Sequence, residues 1–153
     1  MDVHDEYVPE ELFAAFTARM PEVCVEVVLD APEGVLLARR TNEPAKGEWF
    51  WPGGRLYKGE KLEPAARRIA REELGIDVTV EERLGVYAHF WERSAVSGNA
   101  SRHTVNVAFR ATPVDPGFEI ELDTQHDDYR FLAGPEADLH EYVERYVEEN
   151  DLL

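Results

Sequence analysis

The stretch from Gly53 to Ile76, GGRLYKGEKLEPAARRIAREELGI, constrains this chain more than any other. Two adjacent glycines let the backbone bend tightly and approach a ligand or ion closely. They lead into a helix expected over Leu62–Leu74, where Leu62, Ala65, Ala66, Ile69, Ala70 and Leu74 recur at helical spacing. Gly75 follows as its C-terminal cap. Glu72 and Glu73 stand on the last turns, where a basic residue would suit the helix dipole better, and Glu60 stands just before the helix. Carboxylates converging near a glycine carbonyl form the all-oxygen environment that Mg²⁺ prefers, completed by substrate phosphate and water. A solvated Arg/Glu helix face is the alternative at this point.

Charge narrows the ligand class. The chain carries 32 acidic and 16 basic residues, net −16, which disfavours a nucleic-acid partner because the phosphate backbone would be repelled. Between Arg39 and Arg71, however, nine bases face four acids. A basic island in an acidic chain points to a small anionic ligand held locally, with surface ion pairs on a helix as the competing explanation. Only Lys46, Lys58 and Lys61 among the bases are lysines. That acidic, lysine-poor balance resembles proteins of salt-adapted cytoplasms, where repulsion is screened.

The length of 153 residues fits one domain spanning 1–153, and 44% hydrophobic residues supply a core. No apolar run approaches the roughly 20 residues needed to span a bilayer, so no membrane partner is expected. The opening MDVHDEYVPEE lacks the basic-then-apolar order of a signal peptide, and a cytoplasmic location is the expectation. Cys24, the single cysteine, cannot form an intramolecular disulfide and reads as a buried packing residue.

Along the chain, an amphipathic helix is expected from Pro9 to about Arg19, with Leu12, Phe13 and Phe16 on one face. Val23–Leu29 and Val35–Arg40 read as strands around a turn at Asp30–Gly34, and Thr41–Trp51 as a loop. Asp77–Val80, Arg83–Arg93 and His103–Thr112 read as strands, the last two joined through a polar loop as a long hairpin. Pro113–Asp128 reads mostly as loop and Tyr129–Leu132 as a short strand. A final helix is expected from about Pro135 to Glu149, burying Leu139, Tyr142, Val143, Tyr146 and Val147. Helices around a mixed sheet in an α/β (α+β) domain follow.

Gly54, Glu60, Arg68, Glu72, Glu73 and Gly75, at these offsets, resemble the box of the Nudix hydrolase family, spanning 54–76 here. The resemblance implies an α/β/α sandwich with a mixed sheet between helices. One position departs: the box has Glu directly after the Arg, and this chain has Ile69. Fewer ions, plausibly one, are then expected, and in-line attack on phosphorus assisted by several metals is disfavoured.

That loss is a trait of the GDP-mannose mannosyl hydrolase branch. The stretches RTNEPAKGEWF (Arg40–Phe50), GVYAHF (Gly85–Phe90) and QHDDYR (Gln125–Arg130) look like that branch too. The resemblance covers about Val23 to Leu132. It implies Mg²⁺-dependent hydrolysis, with Mn²⁺ able to substitute, of a nucleoside-diphosphate sugar by water attack at sugar C1. A nucleoside diphosphate with bound cation is a good leaving group, so the site needs a base and cations more than a strong acid.

By resemblance, His126 is the general base, suited by an imidazole that titrates near neutrality. Glu73, the Gly53 carbonyl and the Gln125 side chain hold the metal, with Glu72 as a further candidate ligand. Arg40 and Arg55 grip the diphosphate as guanidinium forks. Arg68 and Glu60 support the site by ion pairing, and His89 and His103 are weaker candidates for substrate contacts. Trp49, Phe50 and Trp51 read as packing residues. A homodimer is the family expectation. Thr104 stands where the branch carries Tyr, Glu26 where it carries Asp, and the loop VSGNASRH is slightly shorter. Base and sugar preference are therefore open. Two other functions remain in play: a Nudix pyrophosphatase cutting ADP-ribose-like compounds at phosphorus, and a non-catalytic nucleotide-binding module.

Overall fold

The computed structural model describes residues 1–95, 99 and 101–153. Its elements run α1 (Glu10–Thr17), β1 (Glu22–Ala31), β2 (Gly34–Arg40), β3 (Trp49–Phe50), β4 (Gly53–Arg55), α2 (Leu62–Leu74), β5 (Val78–Trp91), β6 (Arg102–Pro113), β7 (His126–Leu132) and α3 (Glu141–Asn150). The strands form one mixed sheet in the order β3-β2-β1-β6-β5, with β4 added to β1 and β7 to β2. β1 is central: parallel to β6, antiparallel to β2 and β4. β5 and β6 make the expected long antiparallel hairpin.

Alternation along β1 divides the core in two. Val25, Val27 and Leu29 pack with Ala65, Ala66, Ile69 and Leu74 of α2. Val28 packs with Val143 and Tyr146 of α3 on the other face. The result is the expected α/β/α sandwich. α2 occupies the predicted range, and Gly75 closes it in the left-handed region at φ 67°. There a side chain would be strained and would press on Glu121.

Five elements differ from the sequence expectation. α1 buries nothing fully; Leu12 and Phe16 are about half exposed, and Phe13 turns inward instead. The loop expected over Thr41–Trp51 ends in β3, because Phe50 and Trp49 pair with Ala38 and Arg39. β5 is continuous through Glu81 and Glu82, absorbing them with register shifts rather than a break. β7 begins at His126, opposite Arg40, not at Tyr129. α3 starts at Glu141, where the His140 ring accepts the Tyr142 N–H at 3.1 Å as a cap. Within the loop read over Ser94–Arg102, residues 96–98 and 100 lie outside the described residues. Among those described, no helix is long and apolar enough to cross a membrane.

Candidate active site

α2 presents its polar edge to the loop that precedes it. Arg68 donates to both Glu60 oxygens (Nε 2.7 Å, Nη2 2.8 Å), to the Arg55 carbonyl at 2.9 Å and to Glu72 at 3.0 Å. Its guanidinium also lies 4.0 Å from the Tyr57 ring centroid. Burial works against the Glu60 carboxylate, but its hydrogen bonds from Arg68 and Tyr57 outweigh that and hold it below the usual range. Arg68 and Glu60 thus tie the loop to the helix. Glu72 is exposed and committed to Arg68.

Beside this clamp a cleft of about 380 Å³ opens, lined by residues of β1, β4, α2, β5, β6 and the loop before β7. Arg40, Gly53, Arg55, Glu72, Glu73, His89 and Gln125 all line it. Arg40 is held by its Nε–H donating to the Pro44 carbonyl at 2.7 Å, and burial lowers its pKa. Arg55 lies 5.5 Å from the Phe13 ring and 5.2 Å from the Tyr57 ring, a slot between two aromatic walls. Phe50 and Trp51 are buried packing residues, as expected, and Cys24 is buried with its thiol pushed up chiefly by desolvation.

Glu73 is the buried acid of α2, and desolvation, then the nearby Asp123 charge, raise its pKa well above the carboxylate range. It faces Asp123 and His126: one ligand atom from each of the three lies within 4.8 Å of the others. His126 Nδ1 is 2.7 Å from Asp123 Oδ1 and 4.0 Å from Glu73 Oε1. Glu73 Oε2 and His126 Nε2 are buried with no hydrogen-bond partner among the described residues. Orphaned polar atoms of this kind are costly, and a divalent cation held by the Glu73 and Asp123 carboxylates would satisfy Glu73 Oε2, leaving His126 Nε2 for a water. The residues fit such an ion.

Asp123 was missed in the sequence, hidden in an acidic loop. Its spacing three residues before His126 is the signal that could have found it. His126, expected as the general base, is not itself among the residues that line the cleft. Its side chain is 0% exposed, so it backs the cleft wall, while Asp123 and Gln125 face the cleft on either side of it. His103 is not brought to the site at all. Strand alternation sends Thr104 into the cleft floor and turns the His103 ring onto Phe90, 4.4 Å away on the other face.

The floor itself is unusually polar. Glu26, His89, Thr104 and Asn106 are all buried there. Asn106 Nδ2 donates to Thr104 Oγ1 at 3.0 Å. His89 stacks on Tyr142 at 4.2 Å, and its Nε2 is 3.2 Å from the Tyr146 hydroxyl. Burial, then the neighbouring His140 and Arg145, lower its pKa to about 4. Glu26, whose Oε2 has no hydrogen-bond partner among the described residues, is pushed up to about 8 by desolvation.

Comparison with known proteins agrees with this geometry. The NUDIX domain model matches residues 19–149. The chain is 45% identical over 144 residues to the low-salt glycan biosynthesis protein Agl8 of Haloferax volcanii, covering 94% of this chain and 91% of that one. It is 33% identical over 89 residues to the ADP-ribose pyrophosphatase of Methanocaldococcus jannaschii, covering 58% of this chain and 49% of that protein. The crystal structure of a MutT protein from Methanosarcina mazei Go1 shares the fold with a TM-score of 0.69, at 21% identity over 87% of this chain and 95% of that one. With its clamp, its buried acid–imidazole group and these relatives, the chain belongs to the NUDIX family and is a Nudix hydrolase.

Proposed function

We propose that this hydrolase cleaves a nucleoside-diphosphate sugar, of GDP-mannose type, by water attack at sugar C1, releasing nucleoside diphosphate and free sugar. The observation that carries the reading is Ile69. It is 1% exposed in the core, against Gly54, at the position where the family box has a metal-binding carboxylate. No charged group could be held there without repacking. The site keeps instead a carboxylate–imidazole pair, Asp123 and His126, beside Glu73 of α2.

The chain's own residues supply the remaining chemistry. Arg40 and Arg55 bind the diphosphate and take up the charge that develops on the departing oxygen. Glu73, with Asp123, the Gln125 amide and the Gly53 carbonyl, would hold Mg²⁺ or Mn²⁺, which when bound neutralises the diphosphate leaving group. Asp123 accepts the His126 Nδ1–H and so leaves Nε2 as the basic nitrogen, the proton acceptor for water. Because the ring is buried, that water is one enclosed with the substrate rather than drawn from bulk. The glycan-biosynthesis name of the Haloferax relative supports a sugar-linked substrate.

Hydrolysis in ¹⁸O-water tests the proposal: label is expected in the free sugar, and label confined to phosphate-containing products would refute it. A second reading, attack at phosphorus as in an ADP-ribose pyrophosphatase, draws on the retained Glu72–Glu73 pair and the Methanocaldococcus relative's name. It predicts release of nucleoside monophosphate.

A further inference from the structure

The cleft floor contains a hydrogen-bonded group that diphosphate binding does not require. Tyr146 comes from α3, on the sheet face opposite α2, and its side chain is completely buried. Its ring stacks on Tyr87 at 3.8 Å and lies 6.1 Å from Trp51. Those contacts would hold a phenylalanine equally well. The hydroxyl is therefore free to serve another purpose, and it sits where two cleft-lining side chains meet. It lies 3.2 Å from His89 Nε2. Glu26 Oε1 in turn stands 3.7 Å from His89 Nδ1.

The proton assignment follows from the partners. The Tyr146 oxygen has lone pairs to accept the His89 Nε2–H, which leaves Nδ1 as the ring nitrogen that faces Glu26. His89 is further fixed by its parallel stack on Tyr142, one helical turn before Tyr146 on the same α3 face. Two residues of one helix thus lock the ring. The unpartnered Glu26 Oε2 is left to meet a ligand in the cleft.

We propose that Tyr146 is a positioning residue of the active site: its hydroxyl holds the His89 ring, whose Nδ1 stands against Glu26, and through that ring sets the orientation in which the Glu26 carboxyl meets the substrate. The C-terminal helix is then part of the reaction site, not merely a cover for the sheet. The proposal rests on the cleft being where hydrolysis occurs, not on which bond is cut.

The test is a double-variant cycle on the full chain, using the nucleoside-diphosphate sugar turned over fastest with Mg²⁺. Tyr146→Phe keeps the ring contacts and removes the hydroxyl. It is expected to lower kcat about tenfold or more while KM changes less than twofold. Glu26→Gln is expected to cause a loss of its own, and the double variant to be no worse than the poorer single one, as for residues acting as a unit. Val143→Ala, which loosens the same helix without touching the network, is expected to keep its kcat while losing thermal stability. Wild-type kcat in Tyr146→Phe would overturn the proposal. So would multiplicative losses in the double variant, or an equal kcat loss in Val143→Ala. The ¹⁸O assignment of the cleaved bond is read separately, so its failure leaves the cycle interpretable.

Discussion

Replacing Arg68 tests how the metal-side helix is held to its loop. Arg68 makes four N–H···O contacts of 2.7–3.0 Å, and two go to a Glu60 side chain that is only 7% exposed. Removing one partner of a buried ion pair costs roughly 3–5 kcal/mol, because the other charge stays buried and unpaired. Arg68 itself is 20% exposed, which places Arg68→Ala near the lower end, about 3 kcal/mol. The exposed i,i+4 contact to Glu72 accounts for no more than about 0.5 kcal/mol of that. Arg68→Lys keeps the charge but loses the fork to Glu60 and the Arg55 carbonyl, for about 1–2 kcal/mol. Urea unfolding at fixed salt, followed by tryptophan fluorescence, reads both values directly. The same variants should raise KM, since the released strand carries Arg55. An Arg68→Ala loss below about 1 kcal/mol with unchanged m-value would refute the clamp.

Other expectations follow from the site and the charge. His126→Ala should cut turnover by on the order of 10²–10⁴, and Asp123→Asn should also slow it by misorienting the ring; near-wild-type rates would remove the pair from the chemistry. His89 is neutral when folded, with a pKa lowered from 6.5 to about 4, so its contribution is complete above pH 6.5 and is lost as pH falls through 4. Between pH 7 and 5 the wild type should therefore lose about 2 kcal/mol more stability than His89→Gln, and equal losses in urea titrations would contradict the assignment. A net charge of −16 opposes compaction, so the melting temperature should rise steeply with KCl up to molar concentrations; a flat salt response would show that repulsion is already balanced.

Residues governed by local periodicity were legible in the sequence. The helical repeat of Leu62, Ala66, Ile69 and Ala70 and the glycine stop at Gly75 fixed α2 to the residue. The Arg68–Glu60 ion pair was implied by the family resemblance and not by periodicity, since Glu60 precedes the helix. What escaped depends on tertiary placement. Asp123 looks like one more acid in a loop, and only the return of β7 beside β2 brings it to Glu73. His126 was read as the general base, but its burial was not legible, because it comes from β7 pairing opposite Arg40. His103 was misjudged by one residue of strand parity, since it is Thr104 that faces the cleft. Tyr146 was read as core, and correctly so for its ring. Its hydroxyl gains a role only because α3 packs across the end of β5 that carries His89.

In the reaction proposed for this Nudix hydrolase, Arg40 and Arg55 hold the diphosphate leaving group while water attacks sugar C1. Mass spectrometry of the products formed from a nucleoside-diphosphate sugar in ¹⁸O-water tests it most directly. One ¹⁸O atom in the free sugar and none in the nucleoside diphosphate is the predicted result, and ¹⁸O in nucleoside monophosphate or sugar phosphate would contradict it.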